Sequence, residues 1–319
     1  MREFPFDELR TTDGALRMLH HQHRVSPLDT STLRHADVQR SLQTFADASH
    51  AGDSLHPFEL RTVGQSVEGR ELRLVRLGSG PIAVFLWSQM HGDESTHTGV
   101  LLDLLNTIMS SQERTVAGHP LLDRCTLHIL PMLNPDGAER QTRVNAQAID
   151  INRDAVDLAT PEGRTLRSVV NDVRPQYGFN LHNQRANKVA ADSGRVAVVS
   201  VLAPPLDEAD SITPGIVRAR QLALEMFAVA TRELPGHATR YEAGYMPTAF
   251  GEWVQGQGAS TVLLEAGGWP ADREPGGLLQ VHYVTLVTAL LAIAGDRLQD
   301  IDASGYQALP LNAEPHSQE

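Results

Sequence analysis

The 319-residue chain has one cysteine, Cys125, so an intramolecular disulfide is excluded. A core thiol beside Leu127 is the expected role for Cys125, rather than a nucleophile. The first ten residues, MREFPFDELR, lack an apolar stretch of the kind that leads a chain to a membrane. No 18-residue apolar span is read anywhere, so a cytoplasmic location without a membrane segment is the expectation. Basic residues are also short. Lys plus Arg number 27 against 39 Asp plus Glu, a net charge of −12. That balance argues against a general nucleic-acid binder and against attachment to an anionic membrane. Cationic substrates stay open. There is no internal repeat, and no linker that would divide a core.

What is present is an ordinary globular composition, 41% hydrophobic and 21% charged. A domain of this length buries roughly three quarters of its unfolded surface and needs no covalent staple. Residues 1–60 are polar, rich in His, Arg and Ser, and read as an N-terminal extension packed on the core, with residues 33–45 as an exposed helix. Residues 61–295 alternate between strand-like and helix-like runs. Residues 62–80 read as a hairpin with turn residues at 66–69. Apolar strands are expected at 82–87, 126–132, 177–181, 196–203 and 261–264. Helices are expected after residue 95 and at 161–173, 214–234, 248–254 and 278–293. Residues 133–153 read as a long polar loop, and 296–319 as a partly ordered tail. The alternation predicts a single-domain α/β/α sandwich around a central mixed, mostly parallel sheet.

Three chemically loaded positions follow strand-like runs, where ligands collect in such folds. His91-Gly92-Asp93-Glu94 lies between the apolar run at 82–87 and a helix marked by Leu101, Leu104, Leu105 and Ile108. A His and a Glu three apart on a turn can aim at one point, which suits a borderline-soft cation such as Zn2+. Spacing alone is weak. Fourteen His and 39 acidic residues produce roughly two such pairs by chance. His56-Pro57-Phe58-Glu59 is one of them and reads as a turn. His182, ending FNLHNQ, would complete a His2Glu set with an open fourth position; alone it reads as a core or rim histidine. Asp150 could accept the second N–H of a ligand histidine. Glu265 ends the run TVLLE, and a carboxylate there costs several kcal/mol unless it is paired or used. It reads as a salt-bridge partner or, beside an activated water, as a general base.

Taken in order, these pieces resemble the zinc carboxypeptidases (metallopeptidase family M14). The similar motifs are GQSVEGREL from Gly64, HGDE from His91 and NPDG from Asn134. RVNAQAIDINRD from Arg143, the Leu181-His182 pair and LLEAGG ending at Gly268 complete the series. The resemblance implies one zinc ion held by His91, Glu94 and His182, with Asp150 behind the first histidine. It implies Glu265 as catalytic base and acid, and Arg143 as the group that polarises the scissile carbonyl. Asn152 and Arg153 would hold a terminal carboxylate. Glu252-Trp253 resembles the Asp-Trp that precedes the catalytic glutamate; counting back makes Tyr245 the match for the tyrosine that closes on substrate, with Tyr241 as runner-up. The implied substrate is a peptide or peptide-like molecule with a free C-terminal carboxylate. Departures are Asp93, where many members have Arg, Asp154-Ala155 in place of Asn-aromatic, and Gly251 where side-chain preference is set. Two rivals remain. One is a small-molecule N-acyl amino acid amidohydrolase resembling succinylglutamate desuccinylase and aspartoacylase. The other is a non-catalytic binding protein retaining the fold.

Overall fold

The computed structural model describes residues 6–51, 58–111 and 115–315. Two helices come first, α1 (Phe6–His23) and α2 (His35–Ala51). A hairpin of β1 (Phe58–Gln65) and β2 (Glu71–Leu77) follows, then β3 (Ile82–Ser88), α3 (Thr96–Met109), the short α4 (Leu121–Arg124) and β4 (Cys125–Leu130). Next are α5 (Pro135–Arg140), α6 (Pro161–Val173), β5 (Tyr177–Asn183), β6 (Val189–Ala190) and β7 (Val199–Leu202). The chain continues through α7 (Pro214–Glu233), β8 (Ala238–Arg240), α8 (Phe250–Gly256), β9 (Ser260–Ala266), α9 (Gly277–Ala294) and β10 (Asn312–Ala313).

Eight strands form one mixed sheet in the order β1-β2-β4-β3-β5-β9-β7-β8. Its centre, β4-β3-β5-β9, is parallel; β1-β2, β2-β4 and β9-β7 are antiparallel, and β7-β8 is parallel. Central strands buried on both faces read as unbroken apolar runs, which is why IAVFLW and STVLL carry no alternation. The larger core joins one sheet face to α1, α2, α3, α7 and α9. The smaller one joins the other face to α6 and α8 through Phe85, Trp87, Leu166 and Phe250. The result is the expected α/β/α sandwich. Because β3, β5 and β9 are parallel neighbours, their C-terminal ends open at one edge. That edge receives His91, His182 and Glu265.

Several expectations are corrected. The exposed helix expected at 33–45 is α2, which buries Val38, Leu42, Phe45 and Ala46 along one face. The loop expected at 133–153 contains α5, started by Pro135 and capped by Asn134, whose side chain accepts from Gly137 N. The turn expected at His56–Glu59 is replaced from Phe58 onward by β1, while His56 and Pro57 lie outside the described residues. An apolar span was missed: α9 is long and apolar enough to cross a membrane, and 83% of it is buried inside the fold. His282, Thr285 and Thr288 break its composition without exposing it. The stretch from residue 296, expected as a tail, forms two 3-10 turns at Leu298–Asp300 and Ala303–Ala308, with Tyr306 buried, before β10. Residues 316–319 lie outside the described residues.

The N-terminal helices are held by chemistry as well as apolar contact. Asp103 of α3 is fully buried and accepts from the backbone N–H of Val25 and Ser26, from the Ser26 hydroxyl and from His20 Nε2, at 2.8–3.1 Å. A buried carboxylate with four donors is satisfied. This network fastens the α1–α2 segment to the helix that follows the His91 turn.

Candidate active site

The His91 turn begins where β3 stops. Gln89 adopts a left-handed conformation (φ 51°) and is fully buried. Its amide donates to Gly92 O at 2.8 Å and accepts from the Thr98 hydroxyl at 2.7 Å, locking the turn to α3. Gly92 touches the backbone of α5: a Cβ there would lie 2.0 Å from the Gly137 carbonyl carbon. No side chain can move aside to relieve that contact, so the glycines of HGDE and NPDG permit two backbones to meet. Gly92→Ala is expected to cost about 3 kcal/mol or more through forced backbone displacement. Denaturant unfolding of the variant beside the parent protein checks this; equal midpoints would contradict it.

The turn places His91 Nδ1 2.7 Å from Glu94 Oε1. His182 arrives from β5, its Nδ1 2.7 Å from Glu94 Oε2 and 3.2 Å from His91 Nδ1. The three ligand atoms lie within 4.8 Å of one another, and all three residues are buried. Among the described residues this is the one such convergence of three or more His, Cys or acidic side chains. Glu265 is the register partner of His182 across the parallel β5–β9 pair. Register partners in a sheet present their side chains on the same face, so the pairing brings the carboxyl beside the cluster.

The residues around Asp150 support the cluster from the other side. Asp150 Oδ1 accepts from Asn152 N at 2.9 Å and faces His91 Nε2 at 3.0 Å. Its Oδ2 takes Nε and Nη2 of Arg143, each at 3.1 Å. Arg143 also donates through Nη1 to Glu94 Oε1 at 3.2 Å. Asn152 is buried: Oδ1 accepts from Phe250 N at 3.0 Å, and Nδ2 lies 3.5 Å from His182 Nε2. Arg153 is exposed to the cavity and donates to the Asn152 carbonyl at 2.6 Å.

The donor set fits a cation. Asp150 Oδ1 requires the proton of His91 on Nε2, which leaves an electron pair on Nδ1 pointing at a carboxylate oxygen and at a second ring nitrogen. Two nitrogens and a carboxylate turned toward one point repel unless positive charge lies between them. Burial pushes the Glu94 carboxyl up, but the His182 and His91 imidazoles outweigh it and hold it well below the usual carboxylate range. Asp150 is likewise raised by burial and lowered further by His91, Arg143 and Arg153. Glu265 behaves oppositely. Burial, reinforced by the charge on Glu94, holds its carboxyl well above the ordinary range, with Arg143 opposing. Its Oε2 is buried with no hydrogen-bond partner among the described residues.

These groups open onto a cavity of about 650 Å³, which also reaches Arg153, Tyr241, Gly251 and Glu252. A larger cavity of about 770 Å³ lies between α1 and the start of α9, away from this chemistry. Gly251 forms part of the wall, and a Cβ there would meet Asn180 Nδ2 at 3.2 Å and Pro204 Cγ at 3.5 Å. Of the two tyrosines, Tyr241 lines the cavity. Burial pushes its hydroxyl up to about 12, with Glu265 and Glu94 adding to the shift. Tyr245 instead lines a separate cavity of about 310 Å³ with Arg240 and Tyr306. In this structure the runner-up, rather than the first choice, faces the cavity: spacing along an irregular loop does not say which ring turns inward. Sequence reasoning also missed the backbone N–H of Asn183, which donates to Glu94 Oε2 at 3.0 Å, and the buried amide of Gln89. Neither carries a signal beyond its place next to a candidate ligand or strand end.

Residues 53–186 match a family model described as zinc carboxypeptidase. The matched stretch contains His91, Glu94 and His182 and ends before Glu265. Carboxypeptidase SOL1 of Arabidopsis thaliana is 26% identical over 197 residues, covering 56% of this chain. The match spans 39% of that protein's length. Among solved structures, a metallo-carboxypeptidase from Burkholderia cenocepacia superposes with a TM-score of 0.59 at 20% identity, covering 82% of this chain and 69% of the other. Bovine thrombin-activatable fibrinolysis inhibitor, solved with a tick carboxypeptidase inhibitor, gives 0.63 at 12% identity over 84% of this chain and 98% of its own. At such identities the structural matches establish a shared fold.

Proposed function

For a chain that belongs to the zinc carboxypeptidase family, we propose the activity of a zinc-dependent hydrolase that removes the C-terminal residue of a peptide. The observation that carries this reading is the meeting of His91, Glu94 and His182 beside Glu265, at the mouth of a cavity that Arg153 also faces.

His91 and His182, each through Nδ1, and the Glu94 carboxylate would hold the metal. When bound, zinc supplies Lewis acidity, which makes water acidic and polarises a carbonyl. Glu265 accepts the proton from the attacking water at Oε2 and delivers it to the departing amine nitrogen. Its raised proton affinity suits the second half of that task. Arg143 presents a guanidinium fixed by Asp150 to the oxygen that becomes negative, and donors preorganised in this way stabilise charge as it develops. Arg153 pairs with the terminal carboxylate, and Asn152 and the Tyr241 hydroxyl add single hydrogen bonds. Hydrolysis then releases one amino acid and a peptide shortened by one residue.

The test is release of single residues from a peptide panel, with N-acyl amino acids assayed in parallel. Free-acid peptides are expected to be cleaved, and C-terminally amidated ones resisted. Preference for short N-acyl amino acids would favour the amidohydrolase rival, and bound metal without turnover would favour the binding protein. Arg153→Ala is expected to raise KM for free-acid peptides by about 100-fold, near 2.7 kcal/mol, with a smaller change in kcat. Steady-state kinetics on one good substrate check this. An unchanged KM would remove Arg153 from carboxylate binding.

A further inference from the structure

The cavity has two loop walls. One leaves β5 after Asn183 and carries Gln184; the other leaves β8 and carries Tyr241 and Glu242. Asn312 of β10 is 3% exposed and touches both. Its Oδ1 accepts from Glu242 N at 2.8 Å, and its Nδ2 donates to Gln184 Oε1 at 2.7 Å. The orientation of each amide is determined. Glu242 offers a backbone N–H, which only an oxygen can accept, so Nδ2 of Asn312 turns to Gln184. Gln184 Nε2 already donates to Ala197 O at 2.8 Å, so Oε1 is the atom left to accept.

The backbone around Asn312 joins the same two loops. Arg240 N donates to Pro310 O at 2.7 Å, and Ala191 N to Leu311 O at 2.9 Å. Asn312 and Ala313 pair antiparallel with Ala190 and Val189. Upstream, Tyr306 is 2% exposed, and its hydroxyl accepts from Ala203 N at 2.9 Å. Tyr241 N is still tied to Val201 O at 2.8 Å, and the next residue, Glu242, is held by the Asn312 side chain.

We propose that Asn312 is a positioning residue of the substrate cavity: its buried amide, beside the backbone bonds of its own segment, holds the Tyr241 loop to the Gln184 loop. The claim rests on the carboxypeptidase reading for its catalytic consequence, not for its structural one. Asn312 touches neither metal ligand nor substrate and acts through its two neighbours. It therefore affects ground-state binding by Tyr241 and leaves proton transfer by Glu265 unaltered.

The test uses the full chain, with and without zinc, as the parent protein, Asn312→Ala and Asn312→Asp. Amide hydrogen exchange is read over residues 241–246 and 184–190, and KM and kcat are measured on the best-cleaved peptide. Asn312→Ala is expected to speed exchange at the Glu242 amide at least about tenfold and to raise KM about tenfold, the scale of one buried hydrogen bond, with kcat within about twofold. Asn312→Asp keeps an acceptor for Glu242 N–H but loses the donor to Gln184. It is expected to restore protection at Glu242 and most of KM, while residues 184–190 stay faster. Parent-like exchange and KM in Asn312→Ala would overturn the proposal. So would a joint fall of kcat, KM and melting temperature that Asn312→Asp does not relieve. If Asn312→Ala does not fold, slow exchange at Glu242 with fast exchange at 184–190 in Asn312→Asp supports the proposal, and unchanged exchange at both overturns it. If the parent protein releases no C-terminal residue, the carboxypeptidase reading fails, and exchange alone still judges the role of Asn312.

Discussion

Replacing Glu265 with Gln is expected to lower kcat about a thousandfold while the protein still binds one metal ion. A positioned general base contributes roughly 10²- to 10⁴-fold, and an amide of the same shape cannot take the proton. The structure makes the substitution a clean one. Glu265 is 6% exposed, lies one residue before the end of a fully buried strand, and has an oxygen with no partner among the described residues. Gln fills the same volume, so the fold is not asked to repack. The effect on stability has a definite sign. Burial raises the folded-state pKa of Glu265 above its unfolded value, so the ionised side chain lowers stability as pH climbs past that unfolded value. A neutral amide removes the penalty. The metal-free variant should melt at pH 7 no lower than the metal-free parent. Parent-like kcat would remove Glu265 from the reaction, and loss of metal would give it a different role.

Removing His182 is expected to abolish both metal binding and turnover. In His182→Ala two ligand atoms remain, His91 Nδ1 and the Glu94 carboxylate, and a tetrahedral site with an open position needs three. The loss should exceed the 10- to 100-fold that an outer partner contributes. Asp150→Ala, which removes the acceptor behind His91 Nε2, is the matched control for metal affinity and should fall within that range. Glu94 also loses the imidazole that outweighs much of its burial penalty. A buried carboxylate that loses a hydrogen-bond partner costs about 1–3 kcal/mol, so the variant should unfold at lower denaturant than the metal-free parent. Metal analysis after dialysis, together with zinc titration, checks the first point. Full occupancy in His182→Ala would place the metal elsewhere.

The alternation of apolar strands and helices was legible because β3 and β9 are buried on both faces and lack the period-two pattern of an exposed sheet. The candidate metal set was legible because its residues stand beside strand ends and because the motifs around them, taken in order, resemble one family. What the sequence cannot carry is register. The pairing of His182 with Glu265 decides that the proposed base and a candidate metal ligand are neighbours, yet it depends on hydrogen bonds between strands 83 positions apart. Irregular segments hid the rest. α5 lies inside a polar stretch because a helix this short is set by its Asn134 cap and Pro135 rather than by an apolar face. Tyr241 and Tyr245 share one loop and diverge only in where its backbone turns them. Asn312 sits in a polar terminus with no period, and its meaning comes wholly from the two loops it meets.

The most direct measurement is anomalous diffraction at the zinc edge from crystals of the Glu265→Gln variant grown with zinc. The expected result is one strong peak about 2.0–2.2 Å from His91 Nδ1, His182 Nδ1 and a Glu94 carboxylate oxygen, with the side chain at 265 turned toward it. A peak on other residues, or none at this cluster at full zinc loading, would contradict the account.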